Sequence, residues 1–206
     1  PPIALHSTDY LAEQLSTPRY TGASNLRALV EAGEMWPIED DGTYDDATYA
    51  AVSERLLGVV FGVAAQIVEE DVCSMEDVDR GAKVGLRWAK GPFELMNRVG
   101  LKEAHRMAAA YADVAGAGWS VPDFFSRQAE DGDGWDFSYV DLHMDNGVAT
   151  ITINRPEAMN ALNETVVKQL GQAVAKAHAA EGLHTMVIDG AGKAFVAGAD
   201  VKFFVD

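Results

Sequence analysis

The sequence predicts a mixed fold, an all-α region followed by an incomplete α/β segment of ββα type. Three observations predict it. Apolar residues between Asp46 and Ala115 recur at helical spacing, punctuated by capping residues, by Gly91-Pro92 and by Gly100. The stretch Glu130–Asp136, with Gly132 and Gly134, then breaks the pattern as a linker. Beyond it the period changes: two extended runs flank Asp145-Asn146-Gly147, and a strand–helix–strand order follows.

Taken in order, Tyr10–Leu15 and Asn25–Ala32 read as helices separated by Thr17-Pro18 and Thr21-Gly22. Pro37 to Asp46 is acidic and turn-rich, and reads as a loop. Asp45 or Asp46 caps a long helix to about Glu70, with Val52, Leu56, Val59, Val60, Val63 and Ile67 as its apolar face. Ser74 caps the next helix, with Asp77 at the N3 position. Pro92 starts another, and Gly100 closes it. Lys102–Ala115 is a helix ended by Gly116-Ala117-Gly118, and Val121–Gln128 is a short last one. Phe137–Met144 and Val148–Asn154 form a hairpin, because Asn and Gly tolerate the positive φ its turn needs. Asn154-Arg155-Pro156 stops the second strand. A helix from about Asn160 to Glu181 carries Leu162, Val166, Leu170 and Val174 on one face, with Gly182 after its end. Thr185–Asp189 is a short buried strand, reached by a right-handed crossover. The loop Gly190–Gly198 leads into a helix beginning near Ala199.

Composition narrows the function. The chain has 206 residues, enough for one or two domains, with 32 acids against 16 bases and a net charge of −16. Such a surface repels nucleic acid, so DNA and RNA are excluded as partners. High-salt adaptation, where the Debye length falls to ~3 Å at 1 M, is favoured over ordinary acidity. Cys73 is the sole cysteine, which rules out an internal disulfide and fits a reducing compartment. No apolar run approaches a membrane span and no signal sequence opens the chain, so a soluble, cytoplasmic protein is expected. The start at Pro1-Pro2 without Met suggests a fragment or a processed product. His6, His105, His143, His178 and His184 are scattered, and Cys73 has no matching ligand nearby, so no metal site is expected. Trp36, Trp88, Trp119 and Trp135 read as core or interface anchors.

Gly190 to Lys202 carries the chemistry. A strand ends, small residues follow, and a helix is expected to start. Small residues let a ligand approach the backbone, and a helix N-terminus offers unpaired N–H groups. Donors aimed at a developing oxyanion are worth roughly 3–4 kcal/mol each. On this evidence alone the loop can bind an oxyanion, bind a phosphate, or simply pack tightly. It is not a P-loop, since Ala194 follows Lys193 and Val187 stands where the first glycine is required. It is not a dinucleotide fingerprint either, since Phe195 occupies the third glycine position.

Two stretches in order carry a resemblance: Val148-Ala149-Thr150-Ile151-Thr152-Ile153-Asn154-Arg155-Pro156-Glu157-Ala158-Met159-Asn160-Ala161-Leu162, then Lys193-Ala194-Phe195-Val196-Ala197-Gly198-Ala199-Asp200-Val201. Together they resemble the start of a crotonase (enoyl-CoA hydratase/isomerase) domain. The resemblance implies that the Ala199 N–H is one of two oxyanion donors to a thioester carbonyl. It implies a partial coenzyme A wall of Arg155, Ala158, Ala197, Gly198, Asp200, Val201 and Lys202. For Arg155 and Lys193 the alternative is a solvated surface charge. In the family the second donor and the hydratase glutamates lie later, and Glu157 and Glu164 do not replace them.

Leu56–Gly100 carries a second resemblance. Ile67-Val68-Glu69-Glu70, Ser74-Met75-Glu76-Asp77-Val78-Asp79 and Gly85-Leu86-Arg87-Trp88-Ala89-Lys90-Gly91-Pro92-Phe93-Glu94-Leu95 are similar to the C-terminal helical domain of 3-hydroxyacyl-CoA dehydrogenases. Ser53-Glu54-Arg55-Leu56-Leu57 lacks the Asn that precedes Arg-Leu-Leu in active copies, which implies a non-catalytic copy. Leu26–Gly33 is similar to the tail of a preceding copy. The implied organisation is 1–45 as that tail and a loop, 46–130 as the helical domain, 131–136 as linker, and 137–206 as the crotonase-type part.

The two resemblances imply a fragment of a β-oxidation enzyme acting on acyl-CoA thioesters. The parent would hydrate 2-enoyl-CoA and oxidise 3-hydroxyacyl-CoA with NAD. The NAD site is absent from this chain, and the fragment alone is expected to be inactive. A homo-oligomer through the helical block is expected. The competing reading is a non-catalytic dimerisation module joined to a degenerate CoA-binding segment.

Overall fold

The computed structural model describes residues 2–14, 21–35, 45–115 and 119–200. Most of the expected Pro37–Asp46 loop, the run Gly116-Ala117-Gly118, Trp36, Val201 and Lys202 lie outside these residues. The chain divides by its internal packing into two units. The first comprises Pro1–Ser74 and Pro92–Gly134, the second Met75–Gly91 and Trp135–Asp206.

The first unit is helical: α1 (Pro2–Gln14), α2 (Ser24–Ala32), α3 (Asp46–Glu69), α5 (Pro92–Val99), α6 (Leu101–Ala115) and α7 (Asp123–Asp131), while α4 (Met75–Gly85) belongs to the second. α1 begins well before the expected Tyr10, and α7 starts and ends later than expected, stopping at Gly132 in the left-handed region. Asp45 is the N-cap of α3, its carboxylate accepting the Thr48 N–H at 2.7 Å. Those bonds to Thr48 hold the Asp45 carboxyl below the ordinary carboxylate range. The cap is therefore complete above that range and is lost as pH falls through the lowered folded value. Asp45→Asn caps at any pH, so it is expected to keep neutral stability and remove this part of the acid sensitivity. Asp45→Ala is expected to lower stability at neutrality. Thermal midpoints of the three proteins, near neutrality and in acid, check both.

The buried face of α3 is not the valine stripe that periodicity suggests. Val52 is 53% and Leu56 61% exposed, and Val63 is exposed as well. The buried positions are Gly58, Phe61, Gly62, Ala64 and Ala65. Small residues win here because α3 lies close against α6. A Cβ on Gly58 would stand 2.4 Å from the Met107 carbonyl oxygen, and one on Gly62 would stand 2.5 Å from the Trp119 indole. That indole donates to Gln66 Oε1 at 2.9 Å and meets Tyr111 edge-on. Phe61, Phe93, Met96, Leu101, Ala104, Ala108 and Phe125 complete this core. Among the described residues α3 is also the one helix long and apolar enough, by composition, to cross a membrane.

The second unit holds a three-stranded sheet in the order β1-β2-β3, with β1 (Val140–Asp145) antiparallel to β2 (Val148–Ile153) and β2 parallel to β3 (Thr185–Gly190). The hairpin turns on Asn146 (φ 45°) and Gly147 (φ 75°) as the sequence predicts. β1 starts later than the expected Phe137. The Gln169 side chain accepts the Tyr139 N–H at 2.8 Å and donates to the Phe137 carbonyl at 2.6 Å, taking backbone groups a ladder would need. Ala149, Ile151 and Ile153 face the core under α8 (Glu164–His178), which contributes Val166, Ala173 and Ala177. α8 begins later than the expected Asn160, because Met159 and Asn160 are left-handed (φ 50° and 55°) and Asn163 is the true N-cap. β3 is not the buried strand expected: Val187 is 43% and Ile188 40% exposed. It forms the edge of the described sheet, where one side of its backbone has no strand partner.

Candidate functional site

The site is built where β2 and β3 end side by side. After β2 the chain makes a 3-10 turn (Pro156–Ala158), and after β3 it makes the small-residue loop. The Ala191 N–H donates to the Ile153 carbonyl at 2.8 Å, carrying the parallel ladder one step past β3. Gly190 is enclosed. A Cβ there would lie 2.4 Å from the Phe195 carbonyl oxygen and 2.6 Å from that of Ala194, so the loop curls back on it.

The loop then returns along the 159–162 segment. The Ala197 N–H donates to the Met159 carbonyl at 3.1 Å, the Leu162 N–H to the Gly198 carbonyl at 2.9 Å, and the Asp200 N–H to the Leu162 carbonyl at 2.8 Å. Leu162 and Ala199 thus form a parallel bridge. Both bonds of that bridge come from residues flanking Ala199, so the Ala199 N–H itself is not used in it. In a parallel pairing that group points to the opposite side. Ala199 is exposed, as are Ala197 and Gly198. The helix expected to begin near Ala199 falls almost wholly on residues 201–206, outside the described residues. Ala199 is a bridge residue, and a bridge holds its backbone extended.

One side chain holds the whole arrangement. Asn160 is fully buried. Its Oδ1 accepts the Arg155 N–H at 2.8 Å, and its Nδ2 donates to the Ala191 carbonyl at 2.9 Å and the Ala194 carbonyl at 2.7 Å. A left-handed backbone aims this amide back between turn and loop, a conformation asparagine tolerates better than most residues. Sequence reasoning missed this role. The available signal was an asparagine just after a proline-initiated turn, where a helix start was assumed instead.

Arg155 is part-buried and paired within the chain. Its guanidinium donates to Asp200 Oδ2 at 2.9 Å and to the Ala161 carbonyl at 3.2 Å, and lies over the Tyr139 ring. Both side chains of the Arg155–Asp200 pair are 18% exposed. These two expected wall residues therefore fasten the loop to the segment after β2. Ala158 lies half-buried in the 3-10 turn, its N–H bonded to the Arg155 carbonyl. Lys193 is exposed at the loop tip. Glu157 is ion-paired with Arg80 of α4 at 3.1 Å, and Glu164 opens α8 on the surface. Among the described residues no cluster of three or more His, Cys, Asp or Glu is placed to hold a metal.

Comparison with known proteins divides the chain in two. Residues 52–133 match the 3-hydroxyacyl-CoA dehydrogenase C-terminal domain family, and residues 148–206 match the enoyl-CoA hydratase/isomerase family. A probable enoyl-CoA hydratase of Mycobacterium tuberculosis is 43% identical over 61 residues, which is 30% of this chain and 24% of that protein. The 1,2-epoxyphenylacetyl-CoA isomerase of Escherichia coli is 34% identical over 64 residues, 31% of this chain and 24% of that protein. Among solved structures, a probable enoyl-CoA hydratase/isomerase from Mycobacterium abscessus is 40% identical, covering 32% of this chain and 27% of that one, with a TM-score of 0.32. The chain spans about a quarter of the length of the curated relatives it matches. The chain therefore carries a segment similar to the 3-hydroxyacyl-CoA dehydrogenase C-terminal-domain family, followed by one similar to the enoyl-CoA hydratase/isomerase family.

Proposed function

We propose that this chain is part of a fatty-acid β-oxidation protein that hydrates 2-enoyl-CoA and oxidises 3-hydroxyacyl-CoA, and that its own share is a half-built cradle for the acyl-CoA thioester. One observation carries this reading: the Leu162–Ala199 bridge leaves the Ala199 N–H unused beside an exposed, small-residue backbone. A thioester oxygen taking that bond gains negative charge as the carbonyl polarises, and a fixed donor stabilises that charge. Ala197 and Gly198 let the ligand reach the backbone. Arg155 and Asp200 hold the loop that carries the donor. Of the expected wall, Val201 and Lys202 lie outside the described residues.

The same site argues against turnover by this chain alone. Hydration needs a base and an acid near the enoyl double bond. Glu157 is tied to Arg80 and Glu164 is a surface helix residue. NAD does not fit the loop, because Phe195 stands where a dinucleotide turn needs its third glycine. No oxidation step is assigned to these residues. The expected result with the purified chain is a red shift of the crotonyl-CoA thioester absorption on binding, without hydration above a buffer control. Replacing the Ala199 amide by an ester through semisynthesis removes only the N–H and is expected to abolish the shift. An unchanged shift in the ester protein rejects the cradle, and measurable hydration rejects the inactivity.

A second proposal concerns assembly. Tyr49, Val52, Leu56 and Val63 form an exposed apolar stripe along α3, the helix face that its glycine seam leaves uncovered. This favours pairing of the helical block with a second copy. Sedimentation across protein and salt concentration is expected to show a concentration-dependent dimer, weakened by Leu56→Glu. A monomer at every concentration overturns it.

A further inference from the structure

We infer that Arg80, on α4, is a positioning residue for the thioester site, holding the Asn154–Glu157 turn from a helix outside the hydratase-like segment. The inference rests on the cradle proposed above. Residues 52–133 match the dehydrogenase-type domain, yet Met75–Gly91 packs in the same unit as the sheet. Arg80 is the polar centre of that packing. Its Nε donates to Glu157 Oε2 at 3.1 Å, one Nη donates to Asp77 at 2.5 Å, and the other donates to the Asn154 carbonyl at 3.3 Å and its Oδ1 at 3.2 Å. Beside it, Glu76 accepts the Ser138 N–H at 2.8 Å.

The geometry ties this fork to the site through a short path. Asn154 ends β2, Glu157 lies in the 3-10 turn, and the N–H groups of Ala158, Met159 and Asn160 close that turn onto Arg155 and Pro156. Asn160 then grips the loop, and Met159 accepts from Ala197. Moving the turn therefore moves the strand that pairs with Ala199. The charge arrangement makes Arg80 hard to replace. The Glu157 side chain is only 13% exposed, and Asp77 converges on the same guanidinium. In a chain of net charge −16, removing Arg80 takes away the ion-pair partner of the part-buried Glu157 carboxylate. The planar fork meets four acceptor atoms on three residues, more than the three N–H donors of an ammonium can serve.

The test uses the full 206-residue chain and crotonyl-CoA as probe. Arg80→Gln is expected to weaken crotonyl-CoA binding about tenfold, equivalent to about 1.4 kcal/mol. It is also expected to speed amide exchange at Ala158, Met159 and Asn160 while far-UV circular dichroism stays at wild type. Adding Glu157→Gln should restore most of the affinity, because the stranded carboxylate is then neutral. A loss caused by general unfolding would not be rescued this way. Arg80→Lys should fall between the two, and it replaces Arg80→Gln in every comparison should the latter fail to fold. Affinity within twofold of wild type together with unchanged exchange overturns the inference. If the wild-type chain fails to bind crotonyl-CoA, the cradle falls, and the exchange rates alone still decide what Arg80 holds.

Discussion

Asn160→Leu is expected to destabilise the second unit by about 4 kcal/mol, the largest effect of any single substitution in the site. The change strands the Arg155 N–H and the carbonyls of Ala191 and Ala194, each now bonded to the buried amide. A buried polar group left without a partner costs about 1–3 kcal/mol. Leucine also suits the left-handed backbone at φ 55° poorly. Relaxation of the loop recovers part of the sum, which is why the expected total lies below three full penalties. Crotonyl-CoA binding should be lost with it, since the loop carrying Ala199 loses its anchor. Urea unfolding followed by circular dichroism measures the first effect, and titration the second.

Asn160→Asp separates the two halves of the amide. It keeps the acceptor for Arg155 but turns the donor toward Ala191 and Ala194 into a second acceptor. The new carboxyl is stable there only when protonated, so its folded pKa is raised. Stability should then be greatest in acid and fall as pH rises through that raised value. A variant equally destabilised at all pH values would show that the two carbonyls do not need the donor.

Gly58→Ala is expected to destabilise the first unit by about 2 kcal/mol, although alanine is the better helix former. The new methyl would lie 2.4 Å from the Met107 carbonyl oxygen and 3.1 Å from its carbon. Those are backbone atoms of α6, so relief requires the two helices to part. Overpacking of this kind costs about 1–3 kcal/mol, against about 1 kcal/mol gained in helix propensity. Gly171 in α8 supplies the control, since nothing lies within 4 Å of a Cβ placed there. Gly171→Ala should therefore stabilise by about 1 kcal/mol. Urea midpoints of the two variants should move in opposite directions. A shift of the same sign in both would show that propensity outweighs the seam.

These glycines mark where sequence reasoning on the helices stops. A cap at Asp45 or Asp46, the Pro92 start and the Gly100 stop are all local, and each is legible from a few adjacent residues. The face of α3 is not. Periodicity weighs hydrophobicity and so selects Val52, Leu56 and Val63, whereas the backbone of α6 selects for the absence of a side chain. The hairpin was legible for the same local reason as the caps: Asn146-Gly147 sets both φ values of its turn. The onset of α8 was not, because Asn160 is held by carbonyls 31 and 34 residues away.

At the site the division is similar. Composition and order alone marked the 190–200 loop as a place where a ligand could reach the backbone, and the resemblance to a crotonase domain implied Ala199 as a donor. They also placed Asp200 within the loop's own packing. Only the tertiary structure decided how that donor is presented. A bridge to Leu162 sets it, because the loop zips back along the segment that follows β2. The tertiary structure also paired Arg155 with Asp200, 45 residues along the chain, and brought Arg80 to Glu157 across 77. Local sequence determines what each turn of backbone can do. Which side chains are left for a ligand depends on long-range pairing, and a pairing of charges exists only once the chain has folded.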